Sequence, residues 1–330
     1  MRFLRQSLVF LVGAGIGFGG WFAWFANRPL ALAGSPVDVS IESGGTLTSV
    51  TRQLIDAGVR MRGWDFRLLA RLLGKASAIK AGSYEIEPGT TPLALLAMLT
   101  RGDLRQVNIA LIEGWTFRQI RTALDAHPDL QHETRGLTDS DILQRVGATE
   151  DYAEGLFFPD TYLFARQSSD TALLRRAYRE MRRHLQLAWD ARPQGLPYKS
   201  PYEALIMASI IEKETGKPED RPLIAAVFVN RLRAGMLLQT DPTVIYGLGA
   251  RFDGNLRKRD LTSDGPYNTY LRAGLPPTPI AMPGVASLKA ALNPPDSDHL
   301  YFVARGDGSS VFSRTLDEHN RAVAQFQKKR

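Results

Sequence analysis

Glu212, Lys213 and Glu214 stand directly after an apolar run, Ala204-Leu205-Ile206-Met207-Ala208 followed by Ile210 and Ile211. Burial disfavours an ionised carboxylate, and the negative end of a helix dipole does the same. A carboxylic acid kept protonated near neutral pH can act as the general acid that a glycosidic bond needs in order to break. Lys213 suggests a second chemistry, because a desolvated lysine can form a Schiff base, but the chain shows no phosphate-binding loop for pyridoxal. No Gly-x-Ser-x-Gly string occurs, which removes a serine hydrolase of that type. The five histidines (His127, His132, His184, His299, His319) lack paired metal spacing, and there are no cysteines. Neither a metal site nor a disulfide is expected.

The flanks show what must position these acids. Ser200-Pro201-Tyr202-Glu203 has the form of a capping box with proline at the first helical position. Gly216 is a natural left-handed stop. Between them apolar residues cover every side, which predicts a helix buried in a core. Glu212 lies above Leu205 and Ala208, and Glu214 above Ile210 and Ile211, so spacing does not choose between the acids. A last turn that frayed into water would leave all three charges solvated, and the stretch alone favours that plainer outcome.

With 330 residues, 44% hydrophobic and 23% charged, the chain has a globular composition and length for about two domains. Leu8–Ala26 is the exception. It carries no charge and is long enough to cross a bilayer core of roughly 30 Å. Trp21, Trp24 and Phe25 crowd its C-terminal end, as at a membrane interface, and Arg2 and Arg5 precede it. These features predict a cytoplasmic tail over residues 1–7, a single-pass anchor over 8–26 in the cell inner membrane, and the remainder in the periplasm. A signal peptide cleaved at Ala31-Leu32-Ala33 fits less well, because the apolar stretch exceeds the usual h-region of about 7–15 residues. Gly15–Gly20 matches G-x-G-x-x-G, but inside an apolar span rather than between a strand and a helix, so it is no dinucleotide site. The net charge of +7 in an exported chain without a nucleic-acid motif directs attention to anionic lipid or an acidic wall polymer, not to nucleic acid.

After a linker over 27–36, Val37–Ile41 alternates as a strand. Helical spacing follows at Leu47, Val50 and Leu54 and again at Phe66, Leu69, Ala70 and Leu73, and Ser83–Ile86 reads as a second strand. Strand–helix–helix–strand resembles the LysM glycan-binding module; with a following helix over Leu93–Leu99 it makes a first module, residues 37–105. Residues 106–330 form a larger mixed domain, and the fold class is α+β. There Val107, Ile109 and Leu111 lead as a strand into Glu113-Gly114-Trp115-Thr116-Phe117, and Thr116 caps a helix bearing Phe117, Ile120 and Leu124. Asp125–Asp151 shows no legible period. Thr171–Trp189 is an amphipathic helix whose polar side carries Arg175, Arg176, Arg179, Arg182 and Arg183, either solvated or facing anionic headgroups.

Ala208-Ser209-Ile210-Ile211-Glu212-Lys213-Glu214-Thr215 resembles the signature of the YceG-like (MltG) endolytic murein transglycosylases. Glu154-Gly155-Leu156-Phe157-Phe158-Pro159-Asp160-Thr161-Tyr162 resembles that family's E-G-x-F-x-P-D-T-Y segment. Val229–Leu232, Leu238–Gly247, Tyr267–Tyr270, Gly274–Pro277, Pro283-Gly284 and Tyr301–Val303 follow in the family's order, so the resemblance covers nearly the whole chain. It implies that the first glutamate of E-K-E-T, Glu212, is catalytic. It also implies a lytic cleavage of the MurNAc–GlcNAc bond that leaves 1,6-anhydro-MurNAc ends and terminates strand elongation, without a cofactor. Peptidoglycan glycan strands are then the substrate, the membrane holds the anchor, and peptidoglycan synthases are candidate partners. Gln239, Thr240, Asp241 and Asn230 carry groups suited to sugar hydroxyls and N-acetyl groups. Tyr246, Tyr267 and Tyr270 offer flat apolar faces with polar tips, and Asn268 lies in the same string. Turn and cap chemistry is the competing use of such residues. The rival functions are a hydrolytic muramidase with Asp241 as second carboxylate and a non-catalytic, membrane-anchored wall-binding protein.

Overall fold

A computed structural model describes residues 2–33, 36–42, 44–102 and 106–327, and gives the backbone alone for 2–12, 14, 16, 38, 40, 83 and 106. The chain divides into two compact units, residues 1–108 with 163–168, and 109–162 with 169–330.

In the first unit Val37–Ile41 pairs antiparallel with Gly82–Ile86, Val37 opposite Ile86 and Ile41 opposite Gly82. Alternation puts Val37, Val39, Ile41, Tyr84 and Ile86 on one buried face. Helices Leu47–Asp56 and Gly63–Leu72 lie between these strands in sequence and contribute Val50, Leu54, Phe66 and Leu69 to the same core. Helix Pro92–Arg101 adds Leu95, Leu96 and Leu99, and stops at left-handed Gly102. The strand–helix–helix–strand order read from the sequence is present, with one addition: a two-residue strand, Val59–Arg60, lies between the helices and pairs with Ala31–Leu32, inside the stretch expected to be a linker. Arg2–Asn27 is one continuous helix. Its last turns pack on this core through Phe22, Phe25 and buried Ala26, and Trp21 stacks on Trp64 with ring centroids 5.6 Å apart. Trp24 faces outward. Among the described residues no helix is long and apolar enough to cross a membrane. Most side chains in the first half of the expected span lie outside the described residues.

The second unit is organised by helix Pro201–Glu214. Every residue from Ala204 to Ile211 is buried, as its all-round apolar character predicts. Helices Asp170–Asp190, Arg221–Arg233, Asp241–Leu248 and Val285–Leu292 pack around it. Ser200 Oγ accepts the Glu203 amide, but the Glu203 carboxylate accepts from Lys199 N at 2.6 Å rather than from Ser200, so the capping box is half formed. The other end also differs from expectation. Thr215, not a left-handed Gly216, breaks the helix by turning extended (φ −143°). A β-branched residue prefers that backbone, and Thr215 Oγ1 accepts the Lys217 amide at 3.0 Å.

The illegible stretch holds helix Asp139–Val146, closed at its start by a reciprocal box between Thr138 and Asp141. Its two turns carry only Ile142, Leu143 and Val146 as apolar positions, too few to set a helical period. The arginine-rich helix Asp170–Asp190 begins at buried Asp170, whose carboxylate accepts from Glu133 N, Thr134 N and Thr134 Oγ1. Several of its arginines have local partners: Arg183 pairs with Glu180 at 2.8 Å, and Arg175 donates to the Arg145 carbonyl.

Gly155 joins this scaffold to the site. Its φ is +81°, and a Cβ there would overlap the Pro279 ring. Gly155→Ala should therefore combine a left-handed penalty of about 1–2 kcal/mol with an overpacking cost of about 1–3 kcal/mol. A fall in melting temperature of several degrees, read by calorimetry, is the expected result.

Candidate active site

Three segments of the second unit meet at the end of the central helix. The first is the helix terminus. Ser209, fully buried, donates to Ile206 O and accepts the Ile280 amide at 3.0 Å, which fastens the 277–284 segment to the helix one turn before Glu212. The second is the 113–116 turn. Gly114 N donates to Met282 O at 2.8 Å, Met282 N donates to Trp115 O at 2.7 Å, and Lys213 Nζ donates to Gly114 O at 3.2 Å. The third is Met282–Gly284. Gly284 N donates to Glu212 Oε2 at 3.0 Å. Glu212 is half-buried, so its carboxylate is both held by a backbone amide and open to a ligand.

Glu113 reaches the same place. The space a Gly284 side chain would fill is occupied by the Glu113 carboxyl. Burial raises the pKa of Glu113, the charge of Glu212 raises it further, and Arg221 opposes both. Glu113, Gly284 and Arg221 are site residues that sequence reasoning did not select. The available signal was an acid followed by glycine immediately before a capped helix, together with the Pro-Gly pair at 283–284.

The residues expected to bind substrate divide into three groups. Gln239, Thr240, Asp241 and Tyr270 gather around Glu214: Thr240 Oγ1 donates to Glu214 Oε2 at 2.6 Å, and Tyr270 OH donates to Asp241 Oδ1 at 2.5 Å. Gln239, Asp241, Tyr270 and Glu214 line a cavity of about 470 Å³ with Arg231 and His319. Burial raises the pKa of Glu214, as does the nearby Asp241. Gln239 is held at φ +52°, with its amide on Thr269 O and its side-chain oxygen on Arg231, a strained conformation sustained by its neighbours. Tyr246 and Tyr267 form a second group, edge to face at 4.9 Å, with Tyr267 OH bonded to Thr278. The third group serves the scaffold. Asn230 donates to the carbonyls of Ser297 and His299, and buried Asn268 donates to those of Leu261 and Ser263. Glu212 meets a different set, Gly284, Gly114 and Glu113.

Glu154 supports the arrangement from below. Its carboxylate accepts Phe117 N at 2.9 Å, at the positive start of helix Phe117–Ala126, and Tyr246 OH at 3.0 Å. Burial dominates even so, and pushes its pKa up to about 7.

The second unit thus presents a carboxylate from the end of a buried helix, backed by a peptide N–H and a second acid, as an enzyme working by proton transfer would. Residues 39–325 match the YceG-like family, and the chain belongs to it. It is 33% identical to the endolytic murein transglycosylase of Bacillus subtilis (strain 168) over 310 residues, 88% of this chain and 84% of that protein. It is 29% identical to the endolytic murein transglycosylase of Streptococcus pneumoniae (strain R6), matching 98% of this chain but only 65% of that longer protein. The fold is similar to the crystal structure of a YceG-like protein from Listeria monocytogenes, with a TM-score of 0.52 and 30% identity, covering 87% of this chain and 99% of that one.

Glu154 yields a stability prediction. Its folded pKa, about 7, lies above the unfolded value of 4.5. The unfolded chain therefore releases its proton first as pH rises, and stability falls between those values. Glu154→Gln lacks this slope. Its melting temperature should gain on the parent from about pH 4.5 up to about pH 7 and run parallel above that, as measured by thermal denaturation across pH.

Proposed function

We propose that this chain is an endolytic peptidoglycan lytic transglycosylase with Glu212 as its acid and base. The observation that carries the reading is the Glu212 carboxylate itself, held by the Gly284 amide at the end of a buried helix, at the position of the first glutamate in the E-K-E-T string. Glu212 donates its proton to the oxygen leaving C1 of N-acetylmuramic acid, and the C1–O bond breaks. The 6-hydroxyl of the same sugar then attacks C1, closing the 1,6-anhydro ring, and passes its proton back to Glu212. No water is consumed, and one carboxylate suffices because the nucleophile is already tethered beside its target. Hydrolysis with Asp241 as second carboxylate is not favoured: Asp241 keeps company with Tyr270 and Glu214. In this reading Gln239, Asp241 and Tyr270, around their cavity, hold sugar units away from the cleaved bond, and Tyr246 and Tyr267 shape the site beside buried Glu154.

The reading includes a single-pass anchor in the inner membrane with both folded units in the periplasm. The uncharged run Leu8–Ala26 within one continuous helix supports it. So does the pairing of Ala31–Leu32 with Val59–Arg60, because cleavage at Ala33 would cut inside a folded unit. The first unit then acts as a LysM-like glycan-binding module, supported by its strand–helix–helix–strand order, and enzymes that extend glycan strands are the natural partners of a strand-terminating activity.

Mass analysis of products from purified peptidoglycan tests the activity. The parent should leave ends one water lighter than hydrolysis products. Glu212→Gln should lower cleavage by about 10²–10⁴-fold while staying folded. Glu214→Gln, about 200° away around the helix, should retain most cleavage. Reducing ends from the parent, or full activity in Glu212→Gln, would overturn the assignment.

A further inference from the structure

Glu113 has no part in the one-carboxylate mechanism, yet its position is closely determined. Gly284 is buried and sits at φ −81° and ψ 176°, a backbone that any residue adopts. Conformation therefore does not require glycine here. Room does, because a Cβ would overlap the Glu113 carboxyl. The N–H of that same Gly284 is the donor to Glu212 Oε2. Two carboxyl groups thus rest on adjoining atoms of one residue.

The backbone fixes this meeting. The reciprocal bonds of Gly114 and Trp115 with Met282 lock the turn that carries Glu113 to the segment that carries Gly284. Lys213 Nζ is committed to Gly114 O on the same turn. The charged groups facing Glu113 are Glu212, from the central helix, and Arg221, from the start of the next helix. Among the described residues the buried Nε of Arg221 has no hydrogen-bond partner, so its charge is not spent on another side chain at that atom. Like charges placed against one residue resist being ionised together, and Glu113, raised first by burial, is raised further by the Glu212 charge.

We propose that Glu113 is a positioning residue acting through Glu212: across Gly284 the two acids hold one proton between them, and Glu212 delivers it to the glycosidic oxygen. This rests on the transglycosylase reading and deepens it. When the 6-hydroxyl closes the anhydro ring, its proton returns to the pair, which is then ready for the next bond. The pair titrates as a unit, and the proton that burial and the Glu212 charge keep on Glu113 is lost with that side chain.

The test is the pH profile of kcat/KM for full-length protein on purified glycan strands, scored as anhydro-ended product. Glu113→Gln should stay folded and move the upper limb of the profile to lower pH. Glu113→Asp keeps the charge and should hold the limb nearer the parent's. Gly284→Ala, whose Cβ displaces the Glu113 carboxyl, should shift it as Glu113→Gln does. An unmoved limb in folded Glu113→Gln overturns the proposal, whether or not the rate falls. A parent that makes no anhydro ends overturns instead the reading of function beneath it.

Discussion

The site depends on one constraint: a helix apolar on every side must be enclosed, and its enclosure ends at an acid. Ala204–Ile211 is buried by four surrounding helices, so the backbone at Glu212 has little freedom. Ser209 converts that rigidity into placement. Its hydroxyl is the buried acceptor for the Ile280 amide, and leaving that amide unpaired would cost about 1–3 kcal/mol. The segment so anchored then supplies the Gly284 N–H to Glu212. Packing positions the helix, a hydroxyl positions the loop, and the loop positions the carboxylate.

The two acids of the terminal turn have separate surroundings. Glu212 faces a peptide amide and another carboxyl, while Glu214 is drawn into the Thr240, Asp241 and Tyr270 cluster. A rotation of about 200° between positions two apart on a helix accounts for the division. Each acid gains its environment from loops distant in sequence, so two chemically identical residues become different groups. The strained backbone at Gln239 lies on the Glu214 side, where Arg231 ties Leu238 O and the Gln239 side chain together.

Aromatic and acidic groups beneath the site form a continuous support. Glu154 joins the start of helix Phe117–Ala126 to Tyr246, and Tyr246 meets Tyr267 edge to face. Phe117 stacks on Phe157 at 4.9 Å. The 113–116 turn leads directly into that helix, so the carboxyl of Glu113 is positioned by the same packing that buries Glu154.

Local pattern was enough for the elements. Alternation at Val37–Ile41, the Thr116 cap and the apolar run of Pro201–Glu214 are each properties of neighbouring residues, and each appears in the structure. Where local signals were weak or balanced, reading failed: Asp139–Val146 had too few apolar positions, and Thr215 rather than Gly216 broke the central helix. The sequence also placed an acid at the right helix end, and its motifs singled out Glu212. Only the tertiary structure decided what that acid touches. Glu113 and Gly284 lie 99 and 72 positions from Glu212 in the chain, Asn230 and Asn268 turn out to hold backbone carbonyls, and no local spacing encodes such meetings. They arise because burying the central helix leaves one arrangement in which the surrounding loops can satisfy their own amides.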